Sequence, residues 1–284
     1  MAVAAAVTQY REEHIAAFEQ NYSILRATCV THAQIKGNSA VFLVSGSGGA
    51  TAVTRGTNGL IPYGQTTNTQ STCTLLEKHA PFEMTGFNIF ASQGDQRRIM
   101  QETTMAVLNR KVDDDIIAQL DTATNDTGTA VKPSLEMVVW AKTILGNNFV
   151  DLSDEDNLFG LISPAFEGYM MQITEFASAD YVDVKPFNGP TKKFRRWMGL
   201  NWITHSRLTN SIGAGGTSTS EQCYLFHRNA IGHAVNKPGL DVKVGYDEEQ
   251  DYSYARVSGY FGSKLLQNSG VAMMKADGSA YAAA

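Results

Sequence analysis

The run from Asp95 to Thr127 contains neither glycine nor proline, and no other stretch limits the chain as much. Ser92 is placed to cap a first helical turn, with Asp95 three residues on, a near capping box. Met105, Leu108, Val112, Ile116 and Leu120 recur at spacings of three and four, which puts them on one helix face. At 1.5 Å per residue, Asp95 to Leu120 spans roughly 39 Å, far longer than an average helix of ~11 residues. The early turns, with Gln96, Arg97, Arg98, Gln101 and Glu102, are polar nearly all round. Asp113, Asp114 and Asp115 fall between the apolar positions, with Arg110 and Lys111 one turn earlier as partners. Those three aspartates read as a solvated or subunit-facing stripe. The segment predicts a spine helix, packed on a sheet along one side and facing water or another subunit elsewhere.

Composition narrows the rest. In 284 residues only 18% are charged and 43% hydrophobic, while glycine, threonine, serine and asparagine are plentiful. That balance predicts a soluble, sheet-rich chain with long loops and a sizeable core. A net charge of −5 gives no basic face for wrapping nucleic acid. No stretch of 18 apolar residues reads as a membrane span, and the N-terminal MAVAAAV is too short for a signal peptide. Three scattered cysteines, Cys29, Cys73 and Cys223, with no CxxC spacing, fit a reducing cytoplasm.

Ahead of the spine, Thr8 to Asn21 can form a short amphipathic helix, so residues 1 to about 22 read as an arm. Ser23 to Gln34 and Ser39 to Val44 have strand composition. Gly46 to Thr74 is then rich in Gly, Thr, Ser and Asn, with the turn signal Asn58-Gly59 near its middle. So long a loop in a compact domain is usually functional. Flanked by Val41–Val44 and Thr72–Leu76, it reads as a projecting hairpin whose tip carries Leu60, Ile61 and Tyr63. After the spine, Asn125 to Val131 reads as a polar connection and Pro133 as the first residue of a helix that runs to Leu145 and is stopped by Gly146. Leu158–Ile162 reads as a buried strand, Pro164–Phe176 as a helix and Leu200–Ser206 as an aromatic strand. A loop over Gly213–Ser220, a strand over Cys223–Phe226 and closing strands from Tyr252 to Met274 follow. Helices alternating with strands between 133 and 235 predict a separate α/β domain.

Chemistry-bearing motifs are mostly lacking. Gly46-Ser-Gly48-Gly49 is neither a dinucleotide fingerprint nor a phosphate loop. Asp151, Asp154, Glu155 and Asp156 lack the spacing and terminal glutamate of a calcium loop. The six histidines show no metal-binding pairing, and Ser163 and Ser206 lie outside any nucleophile elbow. The basic run Lys192, Lys193, Arg195, Arg196 reads as a source of pairs between subunits.

Three further stretches carry a family resemblance: Phe176-Ala-Ser-Ala-Asp180-Tyr181, Trp197-Met-Gly199-Leu-Asn-Trp202-Ile-Thr-His-Ser206-Arg-Leu208, and His227-Arg-Asn-Ala230-Ile-Gly232. Tyr254-Ala-Arg-Val-Ser-Gly-Tyr260-Phe-Gly262-Ser-Lys-Leu265 and Gly270-Val-Ala-Met-Met-Lys275 continue it. In this order the chain resembles, over nearly its whole length, the major capsid proteins of tailed bacteriophages, the Hong Kong 97-type capsid fold. The resemblance implies an α+β fold with an N-terminal arm (1–22) and strands with an extended β-hairpin loop (23–85). It implies a peripheral domain with the spine helix (86–131 and 236–284), which the closing strands rejoin, and an α/β axial domain (132–235).

The function implied is a non-enzymatic, self-assembling shell of hexamers and pentamers around double-stranded DNA held without sequence-specific binding. No catalytic, cofactor or metal site is implied, and no membrane. Partners would be copies of itself, a portal and a decoration protein; with only about 22 residues ahead of the first strand, a separate scaffolding protein is expected. The location implied is the virion, assembled in the bacterial cytoplasm. Candidate contacts between subunits are Arg55, Leu60, Ile61 and Tyr63 on the loop, Arg97 and Arg98 on the spine, and Lys192, Arg195 and Arg196. The founding member locks its loop covalently through a lysine; here no lysine lies between Gly37 and Glu77, and Arg55 is the only basic residue there, so a non-covalent shell is expected. Two alternatives remain: an encapsulin-like nanocompartment shell on the same fold, and a soluble metal-dependent α/β enzyme using Asp151–Asp156.

Overall fold

A computed structural model of the chain describes residues 22–47, 50–91, 96–174, 195–237 and 241–281. The expected arm helix, the Ser92 cap and Lys192 lie outside them. Among the described residues, two five-stranded sheets, one two-stranded hairpin and four α-helices make a mixed α+β fold.

The longest helix, α2, runs from Gln96 to Leu120; a six-residue helix, α1 (Gly86–Ala91), precedes it. Leu108, Val112, Ile116, Ile117 and Leu120 are buried. Met105 is not: it is 40% exposed, which corrects its place in the expected stripe. Stepping back from Leu120 by fours leads through Leu108 to Thr104 and Met100, both buried, and leaves Met105 on the flank. The hydroxyl of Thr104 is satisfied within the helix, donating to the Met100 carbonyl at 2.9 Å.

α2 lies along the first sheet. There β11 (Tyr252–Leu265) pairs antiparallel with β4 (Leu76–Thr85), β10 (Asp241–Asp247) and β9 (Ile231–Val235). The three-residue β1 (Val30–His32) adds parallel to β9. Odd-numbered residues of β11, such as Ala255, Val257 and Phe261, are buried, while Tyr254, Arg256 and Tyr260 face out, the alternation a one-sided sheet requires.

The second sheet has the order β12-β8-β5-β7-β6, over Val271–Ala276, Glu221–His227, Leu158–Ile162, Leu200–Thr204 and Arg195–Trp197. β5 is buried at every residue and pairs parallel with β7. Helix α3 (Leu135–Asn147) is capped by Ser134, whose hydroxyl accepts from the Met137 N–H at 3.4 Å; Pro133 therefore precedes the cap and is not the first helical residue. α4 (Pro164–Met170) is capped in the same way by Ser163, with Pro164 in its first turn, and ends before the Phe176 expected. One continuous apolar cluster joins α2, α3, α4 and the second sheet to Val257 and Phe261 of the first.

Two strands sit elsewhere than expected. Val271–Ala276, read as rejoining the spine-helix domain, pairs with β8 in the second sheet. The connection after α2 bridges onto it through Asp126–Met273 and Val131–Ala276. Ile231–Val235, read as axial, belongs to the first sheet. The stretch from Ser23, read as a strand, instead begins with a 3-10 helix over Leu25–Thr28.

Candidate functional site

The long Gly/Thr/Ser run folds as a hairpin: β2 (Ser39–Gly46) and β3 (Thr67–Thr74) pair antiparallel from Ser39–Thr74 to Gly46–Thr67. Its base is anchored. Ala40, Phe42, Cys73 and Leu75 form a small core with Ala234 of β9. The Phe42 ring lies edge-on to His32, centroids 4.8 Å apart. It also rests on Gly232, where a Cβ would stand 2.8 Å from the ring; only glycine lets the hairpin sit so close.

Beyond the base, none of the described residues covers the projection. Val41 and Leu43 point outward, 51% and 63% exposed, opposite the buried Ala40 and Phe42. At the tip the Gly56 N–H donates to the Leu60 carbonyl and the Gly59 N–H to the Gly56 carbonyl, both at 2.9 Å. Gly59 has φ +77°, a left-handed value that suits glycine. The closed turn holds Leu60, Ile61 and Tyr63 out, with Tyr63 97% exposed. Arg55 beside them is exposed too. So many apolar side chains left bare on one element mark an interaction surface.

The remaining expected contacts divide. Arg98 is exposed on the first turns of α2, whereas the side chains of Arg97 and Arg195 lie outside the described residues. Arg196 is engaged within its own chain: its guanidinium pairs with Asp156, and its Nε donates to Asn201 Oδ1 at 3.2 Å. Both partners stay open to solvent, so the pair leaves Arg196 within reach of a neighbouring chain.

The aspartates of the spine depart furthest from expectation. Asp113 is fully buried. It accepts from the Ser23 hydroxyl at 2.6 Å and from the Ile24 and Leu25 N–H groups at 3.1 Å each. It thereby caps the 3-10 helix, which is why Ser23 onward is not strand. His205, after β7, brings Nε2 to 3.4 Å from the same carboxylate, too loose for a full hydrogen bond. Burial alone would raise the Asp113 pKa; the facing His205 ring and the bonds from Ser23, Ile24 and Leu25 outweigh it and hold the carboxyl low.

Asp114 receives Arg207 through two hydrogen bonds of 2.9 and 2.8 Å, and Lys111 pairs with Asp115 one turn on. At the helix end Asp121 takes the Thr209 hydroxyl at 2.6 Å and the Tyr224 hydroxyl. The spine is thus fastened by carboxylates to the N-terminal segment and to the second sheet. Helical period carries the signal for Asp113, which lies one turn before Ile117 on the buried side.

Among the described residues, no group of three or more His, Cys, Asp or Glu is placed to hold a metal ion. The thiols of Cys29 and Cys223 are pushed up to about 12 by burial. No helix of the described residues is long and apolar enough to cross a membrane.

Solved structures share this fold across the chain. The Cyanophage Pam1 capsid is 10% identical, with 98% of each chain covered and a TM-score of 0.74. A chain of Mycobacterium phage Che8 is 14% identical, with 96% of this chain and 98% of that one covered and a TM-score of 0.71. The capsid of a native GTA particle is 14% identical, with 96% of each covered and a TM-score of 0.69. No curated protein matches. A family model described as phage capsid protein matches residues 2–276, and the chain belongs to that family.

Proposed function

We propose that the chain is the major capsid protein of a tailed phage, tiling as hexamers and pentamers into the head shell around double-stranded DNA. The observation that carries the reading, beside family membership, is the hairpin: anchored at Phe42 on Gly232, and exposed from Leu43 outward with Leu60, Ile61 and Tyr63 bare near its tip. A lone subunit gains nothing from such an element, whereas a shell subunit covers it on a neighbour. The peripheral, axial and arm divisions of the sequence reading go with this role, the last strand now assigned to the axial sheet. A scaffolding protein, portal and decoration protein complete the assembly, which forms in the host cytoplasm and ends in the virion. A net charge of −5 leaves no excess of cations to grip DNA, which suits DNA enclosed without sequence-specific contact.

Electron microscopy of the protein purified after expression together with its scaffolding protein tests the reading. Closed shells of uniform size are expected; discrete small oligomers would overturn it. The shell is held without covalent links, because Arg55 is the only basic residue between Gly37 and Glu77 and a guanidinium stays protonated. Shells boiled in detergent therefore run as monomers on denaturing gels, and a ladder of resistant multimers would contradict this.

A further inference from the structure

We propose that a cationic cavity between β4, α2 and the segment after β7 binds a phosphate group. The cavity, about 340 Å³, has Lys78 of β4, Arg110, Lys111 and Asp114 of α2, and Arg207 around its wall. Val107 and Leu108 supply its apolar lining. Four cations thus surround one space, and among the described residues that line it Asp114 is the one carboxylate. In a chain of net charge −5 that is a local reversal of sign. The site lies within one subunit and stands apart from the shell reading above.

Register and helical period bring these groups together. Lys78 pairs with Gly259 and Ala80 with Val257, which puts Lys78 on the sheet face that α2 covers. Val107, Lys111 and Asp114 follow one another at spacings of four and three along one flank of α2. Asp114 aims Arg207, taking Nε at 2.9 Å and one terminal nitrogen at 2.8 Å. A guanidinium carries five N–H donors in a fixed fork, so its other terminal nitrogen keeps its donors for a ligand. Lys111 meets Asp115 at 3.1 Å, which engages one of the three ammonium donors. Lys78 is half-buried, and among the described residues it has no hydrogen bond or ion pair. His79, also on the wall, is held by Ser258 and Glu77 at 2.8 and 2.7 Å.

A cation beside apolar lining without a counter-charge lacks what a phosphate dianion supplies, and attraction is stronger where water is partly excluded. Phosphate takes an ammonium as a point charge and a guanidinium through directed N–H donors. The lining presents no Phe, Tyr or Trp ring on which a base stacks, so recognition ends at the phosphate. A phosphate held there ties β4 and the spine to the chain leaving the second sheet.

Calorimetric titration of unassembled, full-length subunits with sodium phosphate, against sodium chloride at matched ionic strength, tests the site. One phosphate per subunit is expected, with a melting temperature that rises as phosphate is added. Lys78→Gln and Lys111→Gln should each weaken binding roughly tenfold, the size of one lost charge-assisted bond. Lys264→Gln, an exposed residue of β11 outside the cavity, should bind as wild type does. Acetylation of the wild type, read by mass spectrometry, gives a measurement that needs no variant to fold: phosphate should slow the reaction at Lys78 severalfold and not at Lys264. A short DNA duplex replaces phosphate in a second arm. Binding of phosphate without the duplex identifies a free anion as the occupant; duplex binding weakened by the same two variants identifies a backbone phosphate. The proposal is overturned if neither probe protects Lys78, or if both variants bind as tightly as the wild type.

Discussion

Leu108 and Ile61 are branched aliphatic residues of similar size, yet Leu108 is 2% exposed and Ile61 50%. The difference lies in what each element brings with it. α2 carries its stripe against β11, and its polar groups meet partners from three segments: Ser23 to Leu25, Arg207, and Thr209 with Tyr224. Among the described residues the hairpin has such support only at its base, and from Leu43 outward its strands pair only with each other. One region is finished within the chain, and the other is left open for a second chain. Mutations of the same type should therefore act on different processes in the two places.

The largest effect is expected at the spine. Leu108→Asp buries an unpaired carboxylate where a Leu→Ala change alone costs ~2–5 kcal/mol. That exceeds what a subunit of ordinary stability, about 5–15 kcal/mol, tolerates comfortably. The isolated chain should lose its cooperative melt by circular dichroism; a near-normal melt would place Leu108 outside the core.

Asp113→Asn should cost about 2–3 kcal/mol, because an amide nitrogen replaces one of the oxygens that meet Ser23, Ile24 and Leu25. The pH dependence sharpens this. The folded Asp113 pKa lies below its unfolded value, so the carboxylate contributes its full stability above about pH 4. That contribution is lost as pH falls through the lower folded pKa. The gap between wild type and Asp113→Asn in urea unfolding should then be wide at neutral pH and close in acid. A gap that widens in acid would reverse the assignment.

The smallest effect on the subunit, and the sharpest on the shell, belongs to Ile61→Asp. A surface substitution typically moves stability by within ~0.5 kcal/mol, so the melt of the monomer should match wild type. Assembly should fail, because a charge must be desolvated at the contact. If this variant misfolds as Leu108→Asp does, the comparison between the two regions collapses.

Periodicity and turn chemistry are local, and they made the spine and the hairpin legible. Leu108, Val112, Ile116 and Leu120 share a face whatever the rest of the chain does, and Asn58-Gly59 turns wherever it stands. Sheet membership depends on distant partners. Val271–Ala276 reads as the same apolar strand whether β8 or the first sheet receives it, so its place was out of reach. Asp113 was misread for a related reason: its helical position puts it on the buried side, but the donors that make burial of a carboxylate tolerable come from Ser23, Ile24 and Leu25, far from it in sequence.

The pairing of β1 with β9 sets the order in which the chain can fold. Val30 meets Gly232, and Asp126 and Val131 bridge to Met273 and Ala276. The hairpin is synthesised early, but the seat for Phe42 arrives only with Gly232, and the second sheet gains its outer strand only with Val271–Ala276. Contacts so distant in sequence make folding slow, and during synthesis the bare hairpin waits without its anchor. A growing chain thus cannot present a correctly mounted hairpin to a neighbour until nearly all of it has emerged, which ties the onset of assembly to the completion of synthesis.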